Sequence, residues 1–417
     1  LFLSSFLLLL TAAVVAEAEA EAVDAAAAAG RSAASCSCSA ASFLSSSSIP
    51  FLLFISLVMK VLPGVGLGEV MTSGAAVLGA PDCRDSLGLG EASCVVVCLV
   101  DGLGASAIED HSELFPSLRG AEGGWVEAPV PSTTSTGLVT LGTGLHPGRH
   151  GMLGATFLLP DTHEVLTPLR WGSSPSPHAI QPEATGFERA NRSGIDCLSV
   201  GPSAYAHSGL TKAAFRGADY LDAEDIQQRA AAISRAGPER QLIYVYWPDL
   251  DRAGHEYGVD SDEWRAAASD VDELVDTLRS ALPGNGRLIV TADHGMQTVA
   301  ERLWMESDHR LMMDVDAVAG EPRVRFLYTS HVDDVVTRWV SVLGERARVL
   351  TREEAVGEEL FGDVHPDMID RIGDLVVLPS PGVILASRSF DPLLASLAGP
   401  HGGLTDVERR IPALILG

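Results

Sequence analysis

Apolar residues fall into two patterns along the chain. Cys94-Val95-Val96-Val97-Cys98-Leu99-Val100 is an unbroken run that stops abruptly at Asp101-Gly102. Leu242-Ile243-Tyr244-Val245-Tyr246 leads into Trp247-Pro248-Asp249-Leu250-Asp251, and Leu288-Ile289-Val290-Thr291 leads into Asp293-His294-Gly295. Leu375-Val376-Val377-Leu378 is a fourth run. Unbroken runs of this length read as strands buried on both faces, as in a parallel sheet. The other pattern is helical. Between about 261 and 282, Trp264, Ala268, Val271, Leu274, Val275 and Leu278 repeat at helical spacing. Asp260 with Glu263 resembles a capping box, and Pro283-Gly284 ends the helix. This alternation predicts an α/β fold: a mostly parallel central sheet with helices on both faces. Ligands of such sheets gather at the C-terminal strand ends, where three of the four runs meet aspartate.

Two regions differ. Residues 305–370 predict a small α+β insertion, with a strand over 323–328, a helix over 332–343, a strand over 347–350 and a short helix from about 351. Residues 1–60 hold an apolar run resembling a signal-peptide core, then Ala/Glu and Ser/Ala/Cys repeats of disordered-type composition, then a second apolar run. That segment is expected to stand outside a 61–417 catalytic domain, and any membrane association would come through it. It hints at export, but the six scattered cysteines form no recognisable framework, so the compartment stays open.

Composition narrows the chemistry. Twenty-nine Lys and Arg stand against 55 Asp and Glu, a net charge of −26. With no basic cluster to neutralise phosphates, nucleic acid is not an expected partner. A small phosphate substrate is compatible, because metal ions can supply positive charge locally.

Five hydroxyl residues stand together in Ser132-Thr133-Thr134-Ser135-Thr136, ahead of Gly137 and Gly142-Thr143-Gly144. A hydroxyl at a helix N-terminus is placed for anion chemistry, but it needs an activator to become a nucleophile. The glycines lack the Lys-Ser/Thr ending of a P-loop. Asp101, Asp251, His255, Asp293, His294 and His401 all lie beside glycine or at predicted strand ends. A set of three Asp and three His suits zinc or a similar divalent ion. It is too large for one tetrahedral site and suits two ions about 4 Å apart, as in phosphoryl transfer.

Val100-Asp101-Gly102, the stretch from Pro131 to Gly144, Asp251 to His255, Asp293-His294-Gly295-Met296 and His401-Gly402-Gly403-Leu404-Thr405 follow one another in a familiar order. Over roughly 61–417 the chain resembles the type I phosphodiesterase/nucleotide pyrophosphatase family of the alkaline phosphatase superfamily. The resemblance implies an alkaline phosphatase-like fold and hydrolysis of phosphodiester or pyrophosphate bonds in a small-molecule or nucleotide substrate. It implies Thr134 as nucleophile, passing through a phospho-threonine, with two divalent ions, expected to be Zn2+. Asp101, Thr134, Asp293 and His294 would hold one ion; Asp251, His255 and His401 would hold the other. The family spacing Asp-x-x-Gly-His selects Asp251 over Asp249. Gly137 stands where relatives carry a phosphate-contacting asparagine, which makes Arg149 and His150 candidate substrate contacts. Substrate-binding side chains are expected from 155–240 and from the insertion, with Phe157, Trp171 and Tyr205 as candidates to stack on a base. The alternatives are a phosphomonoesterase of the same superfamily and a non-catalytic metal-binding homologue; a sulfatase does not fit, because Thr134 lacks the Cys/Ser-x-Pro/Ala-x-Arg context. Oligomeric state is not legible.

Overall fold

The Cys94–Val100 strand is fifth of eight in the main sheet, and all seven of its residues are buried. A computed structural model describes residues 59–172, 174–235 and 239–417; the apolar N-terminal stretch lies outside the described residues. In spatial order the sheet runs Val61–Gly66, Glu122–Glu127, Arg410–Leu416, Gly286–Thr291, Cys94–Val100, Gln241–Trp247, Asp196–Gly201 and Asp219–Asp222. Seven strands are mutually parallel, and Arg410–Leu416 runs against both its neighbours. Helices cover the sheet, giving the expected α/β fold. The Gly68–Val77 helix sets Gly74 against Val95 and Leu242 of neighbouring strands. The Asp262–Ala281 helix buries Trp264, Val271, Leu274, Val275 and Leu278. Its cap is Ser261, whose Oγ accepts the Trp264 N–H at 3.1 Å, and not Asp260. Among the described residues no helix is long and apolar enough to cross a membrane.

Leu375–Pro379 does not join this sheet. It pairs antiparallel with Val324–Tyr328 and Ala347–Thr351, and Ala317–Glu321 completes a separate four-stranded sheet. An apolar run of strand length looks the same whether both its faces are covered in a parallel or an antiparallel sheet. The Val332–Leu343 helix packs on this smaller sheet through Val335, Trp339 and Leu343, beside Leu327, Leu375 and Val377.

A buried ion pair ties the smaller sheet to the larger one. Arg323, in the turn between Ala317–Glu321 and Val324–Tyr328, places Nε and Nη2 at 2.9 and 3.0 Å from the Glu408 carboxylate, with both side chains fully buried. Nη1 donates to the Ser380 carbonyl at 2.8 Å. Glu408 also accepts from the Gly403 N–H at 2.9 Å and the Thr405 hydroxyl at 2.6 Å. The pair therefore holds the hairpin against the loop that carries His401. Removing one partner leaves a buried charge uncompensated. Arg323→Met is expected to destabilise the protein by about 3–5 kcal/mol in urea unfolding, more than an exposed pair such as Arg348–Glu358 would cost.

Candidate active site

Sheet topology explains why residues far apart in sequence meet. Asp101, Asp251 and Asp293 follow Cys94–Val100, Gln241–Trp247 and Gly286–Thr291, which are adjacent and parallel. Adjacent strands lie about 4.8 Å apart, so their C-terminal ends set the three aspartates side by side. Thr134 follows Glu122–Glu127, parallel to the same set, and arrives at the same edge. Arg410–Leu416 runs the other way, so the loop before it, with His401, begins at that edge too.

Asp101, Asp293 and His294 form one buried group of potential metal ligands, and Asp251, His255 and His401 form another. In the first, His294 Nε2 lies 3.2 Å from Thr134 Oγ1, 3.4 Å from Asp101 Oδ1 and 3.5 Å from Asp293 Oδ2. His294 Nδ1 faces the Gly295 carbonyl at 3.2 Å. A carbonyl only accepts, so Nδ1 carries the proton and Nε2 presents a lone pair. In the second group, His255 Nδ1 donates to the Gly399 carbonyl at 2.7 Å and His401 Nδ1 to the Ser132 carbonyl at 3.1 Å. Their Nε2 lone pairs face each other at 3.2 Å, with Asp251 Oδ2 3.3 Å from that of His255. The His294 and His401 rings stack at 3.6 Å and join the two groups. Asp101 Oδ1, Asp251 Oδ1 and Asp293 Oδ2 are buried without a hydrogen-bond partner. A cluster of carboxylate and imidazole donors this close together fits a divalent cation.

Thr134 is the first residue of the Thr134–Thr143 helix, behind an extended Thr133 whose side chain makes no cap bond. The other hydroxyls of the run are structural or unpartnered: Ser132 Oγ donates to Gly403, Ser135 Oγ to Gly154, and Thr136 Oγ1 is buried without a partner. Gly137 has a steric reason. A Cβ there would lie 2.5 Å from the Asp293 Cβ, so the position admits no side chain. Asp249 stands apart from both groups and pairs with Arg252 at 2.8 Å.

Burial dominates the electrostatics. It raises the Asp101 carboxyl well above the usual range, aided by Asp293 and Asp251, against the Tyr246 hydroxyl that donates to its Oδ2. Burial also raises Asp251, opposed by His255 and Arg252, and Asp293, opposed by His294. It lowers His294 and His401, so their imidazoles are neutral.

A cavity of about 540 Å³ opens beside Thr134, Asp101, Asp251 and His255. Its walls include Leu138, Leu210, Tyr205, Phe215, Tyr220, Tyr244 and Tyr246. These come from the main domain; the 305–370 segment expected to share in the lining contributes none of it. Of the proposed stacking residues only Tyr205 lines the cavity. Trp171 is buried and donates to the Pro175 carbonyl, and Phe157 is buried beneath Arg371. Arg149 and His150 are not brought to the site either. Arg149 pairs with Glu183 and Asp363 at 3.5 Å. His150 lies against Thr140 Oγ1 at 3.0 Å, a turn and a half along the helix from Thr134, and burial pushes its pKa down to about 3.

Sequence reasoning did not find Tyr246 or Glu321. Glu321 ends a strand of the smaller sheet with Oε2 3.7 Å from His401 Nδ1, and burial pushes its pKa up to about 8. A single glutamate at the end of a short strand carries no motif; only the hairpin's docking on the His401 loop brings it here.

Two outcomes follow from this geometry. Gly137→Ala is expected to push Asp293 aside, lowering unfolding stability by about 1–3 kcal/mol and weakening divalent-ion binding, read by urea unfolding and metal analysis. The second concerns protons. Burial raises the three carboxyls, so they bind protons at higher pH than ordinary carboxyls and a divalent ion competes with those protons. Affinity is therefore expected to rise with pH as these carboxyls ionise. Calorimetric titration with Zn2+ in buffers of differing ionisation enthalpy should register net proton release that shrinks at higher pH.

Residues 95–404 match the family model described as type I phosphodiesterase/nucleotide pyrophosphatase. Human ectonucleotide pyrophosphatase/phosphodiesterase family member 7 is 39% identical over 66 residues, 15% of this chain and 14% of that protein. Human family member 5 is 32% identical over 115 residues, 24% of each chain. The matched stretches thus span about a quarter or less of these relatives. The solved structure of murine ectonucleotide pyrophosphatase/phosphodiesterase 5, in an inactive form in complex with AMP, superposes with a TM-score of 0.63 at 20% identity, covering 78% of this chain and 87% of that one. The likeness to that structure bears on the fold, and the family model spans most of the sequence: the chain belongs to the type I phosphodiesterase/nucleotide pyrophosphatase family.

Proposed function

We propose that the chain is a two-metal hydrolase of phosphodiester or pyrophosphate bonds that works through a phospho-threonine on Thr134. One observation carries this reading: two groups of carboxylate and imidazole donors adjoin through the stacked His294 and His401 rings, and His294 lies 3.2 Å from the Thr134 hydroxyl at a helix N-terminus. Asp101, Thr134, Asp293 and His294 would hold one divalent ion, and Asp251, His255 and His401 the other; the mixed carboxylate–imidazole set suits Zn2+. Bound there, such ions supply positive charge to the phosphate oxygens and lower the pKa of a neighbouring hydroxyl.

The chain's own residues do the rest. Thr134 Oγ1 forms the new bond to phosphorus while the ester or pyrophosphate oxygen departs on the far side. The helix it begins directs its positive end and uncapped amides at the phosphate. Water then displaces the threonine oxygen and restores the hydroxyl. Tyr246 fixes Asp101 through its hydroxyl, and the carbonyls of Gly399 and Ser132 hold His255 and His401 in the tautomer that turns Nε2 inward.

A diester fits better than a monoester. Arg252 is the cation among the cavity-lining residues, its side chain is 64% exposed, and Asp249 already pairs with it. Among the described lining residues no other lysine or arginine stands ready for the extra charge of a monoester. The aromatic walls suit a ring, and the murine relative's complex with AMP supports a nucleotide-type substrate.

Thr134→Ala is expected to lower turnover of bis-(4-nitrophenyl) phosphate by about 1000-fold or more while two equivalents of Zn2+ still bind. Undiminished turnover would sink the proposed role of Thr134; wild-type protein binding fewer than two equivalents would sink the two-metal reading.

A further inference from the structure

The inserted sheet lines none of the substrate cavity, yet one of its side chains reaches the ligand cluster. Glu321, only 3% exposed, sits where two chain segments meet. Ser132 N–H donates to the Gly402 carbonyl at 3.2 Å and Ser132 Oγ to the Gly403 carbonyl at 2.7 Å, so the start of the Thr134 segment lies along the His401 loop. Glu321 spans this seam. Its Oε2 lies 3.7 Å from His401 Nδ1. Gly402, at φ +119°, leaves room for it: a Cβ there would lie 2.5 Å from the Glu321 Cδ. Two residues on, Arg323 locks the same hairpin to Glu408.

From this placement we infer that Glu321 is a positioning residue for the group Asp251, His255 and His401, reaching it from the inserted sheet. The inference rests on the two-ion reading above. His401 donates its Nδ1 proton to Ser132, and the Glu321 side chain, 3.7 Å behind that N–H, packs at the edge of the ring and fixes its plane and so the direction of Nε2. The smaller sheet thereby gains a role in the chemistry while remaining remote from the substrate. It sets the second ion's ligand geometry rather than substrate choice.

The test is competition of the purified protein with a chromophoric chelator for Zn2+. In Glu321→Ala one of two sites should weaken about 10–100-fold and the other hold its affinity. Asp251→Asn, which alters a candidate ligand of the same group, identifies which site has weakened. Glu321→Gln keeps the volume and an acceptor oxygen and should recover part of the loss, with a melting temperature near that of the parent; this variant also separates positioning from a failure to fold. Unchanged binding in Glu321→Ala, equal weakening of both sites, or no recovery with glutamine would overturn the inference. Wild-type protein binding a single ion would overturn the two-ion reading and this inference with it.

Discussion

The structure depends on three aspartates gathered at one sheet edge, whose carboxylates face imidazoles and, among the described residues, form no ion pair with lysine or arginine. Asp101, Asp251 and Asp293 lie at one sheet edge, each with a carboxylate oxygen lacking a partner. Removing carboxylates from water is costly unless they are protonated or paired with a cation. Burial raises all three carboxyls, which favours the first course when no cation is bound. A bound cation is the second course, and its binding free energy then adds to folding stability. The features around the acids serve this arrangement. Gly137 clears space beside Asp293, Tyr246 takes one oxygen of Asp101, and backbone carbonyls fix the imidazole tautomers.

Much of this was legible in the sequence because buried parallel strands need unbroken apolar runs and the polar residues that end them stand out. The runs at 94–100, 242–246 and 288–291 became adjacent strands, and the aspartates after them converged. What sequence could not separate is the destination of a run once both its faces are buried. Residues 375–378 carry the same pattern as the others but pair in the inserted sheet, where a helix rather than further parallel strands supplies the second cover. The cap of the Asp262–Ala281 helix was misread by one residue because aspartate and serine are equally good caps, and backbone conformation decides between them.

Residues read singly fared differently from residues read as a set. Arg149 and His150 were chosen by nearness in sequence to the hydroxyl run, but a helix carries its end away from its start at about 1.5 Å per residue. His150 consequently packs against Thr140, far from Thr134. Phe157 and Trp171 are core residues, in keeping with the tendency of large aromatics to be buried for packing. Glu321 escaped notice for the opposite reason. Its position depends on a hairpin docking across the fold through Arg323 and Glu408, a long-range contact with no local signature.

The division of labour between segments has a consequence for how such a site can vary. The candidate ligands sit just beyond the strand ends of the central sheet and in the loop that returns to Arg410–Leu416, in mutual contact, where a shift of one would disturb its neighbours. The cavity walls instead come largely from 168–220 together with Tyr244 and Tyr246. A change at Leu169, exposed at the cavity, alters its shape without touching a ligand or its supports, whereas Tyr205 packs edge-on against Tyr246, which holds Asp101. The inserted sheet lies on the other side of this division, linked to the ligands through Glu321 and the Arg323–Glu408 pair. Substrate preference and ligand geometry are thus carried by different parts of the chain, and the first can change while the buried acids and the cation they call for stay as they are.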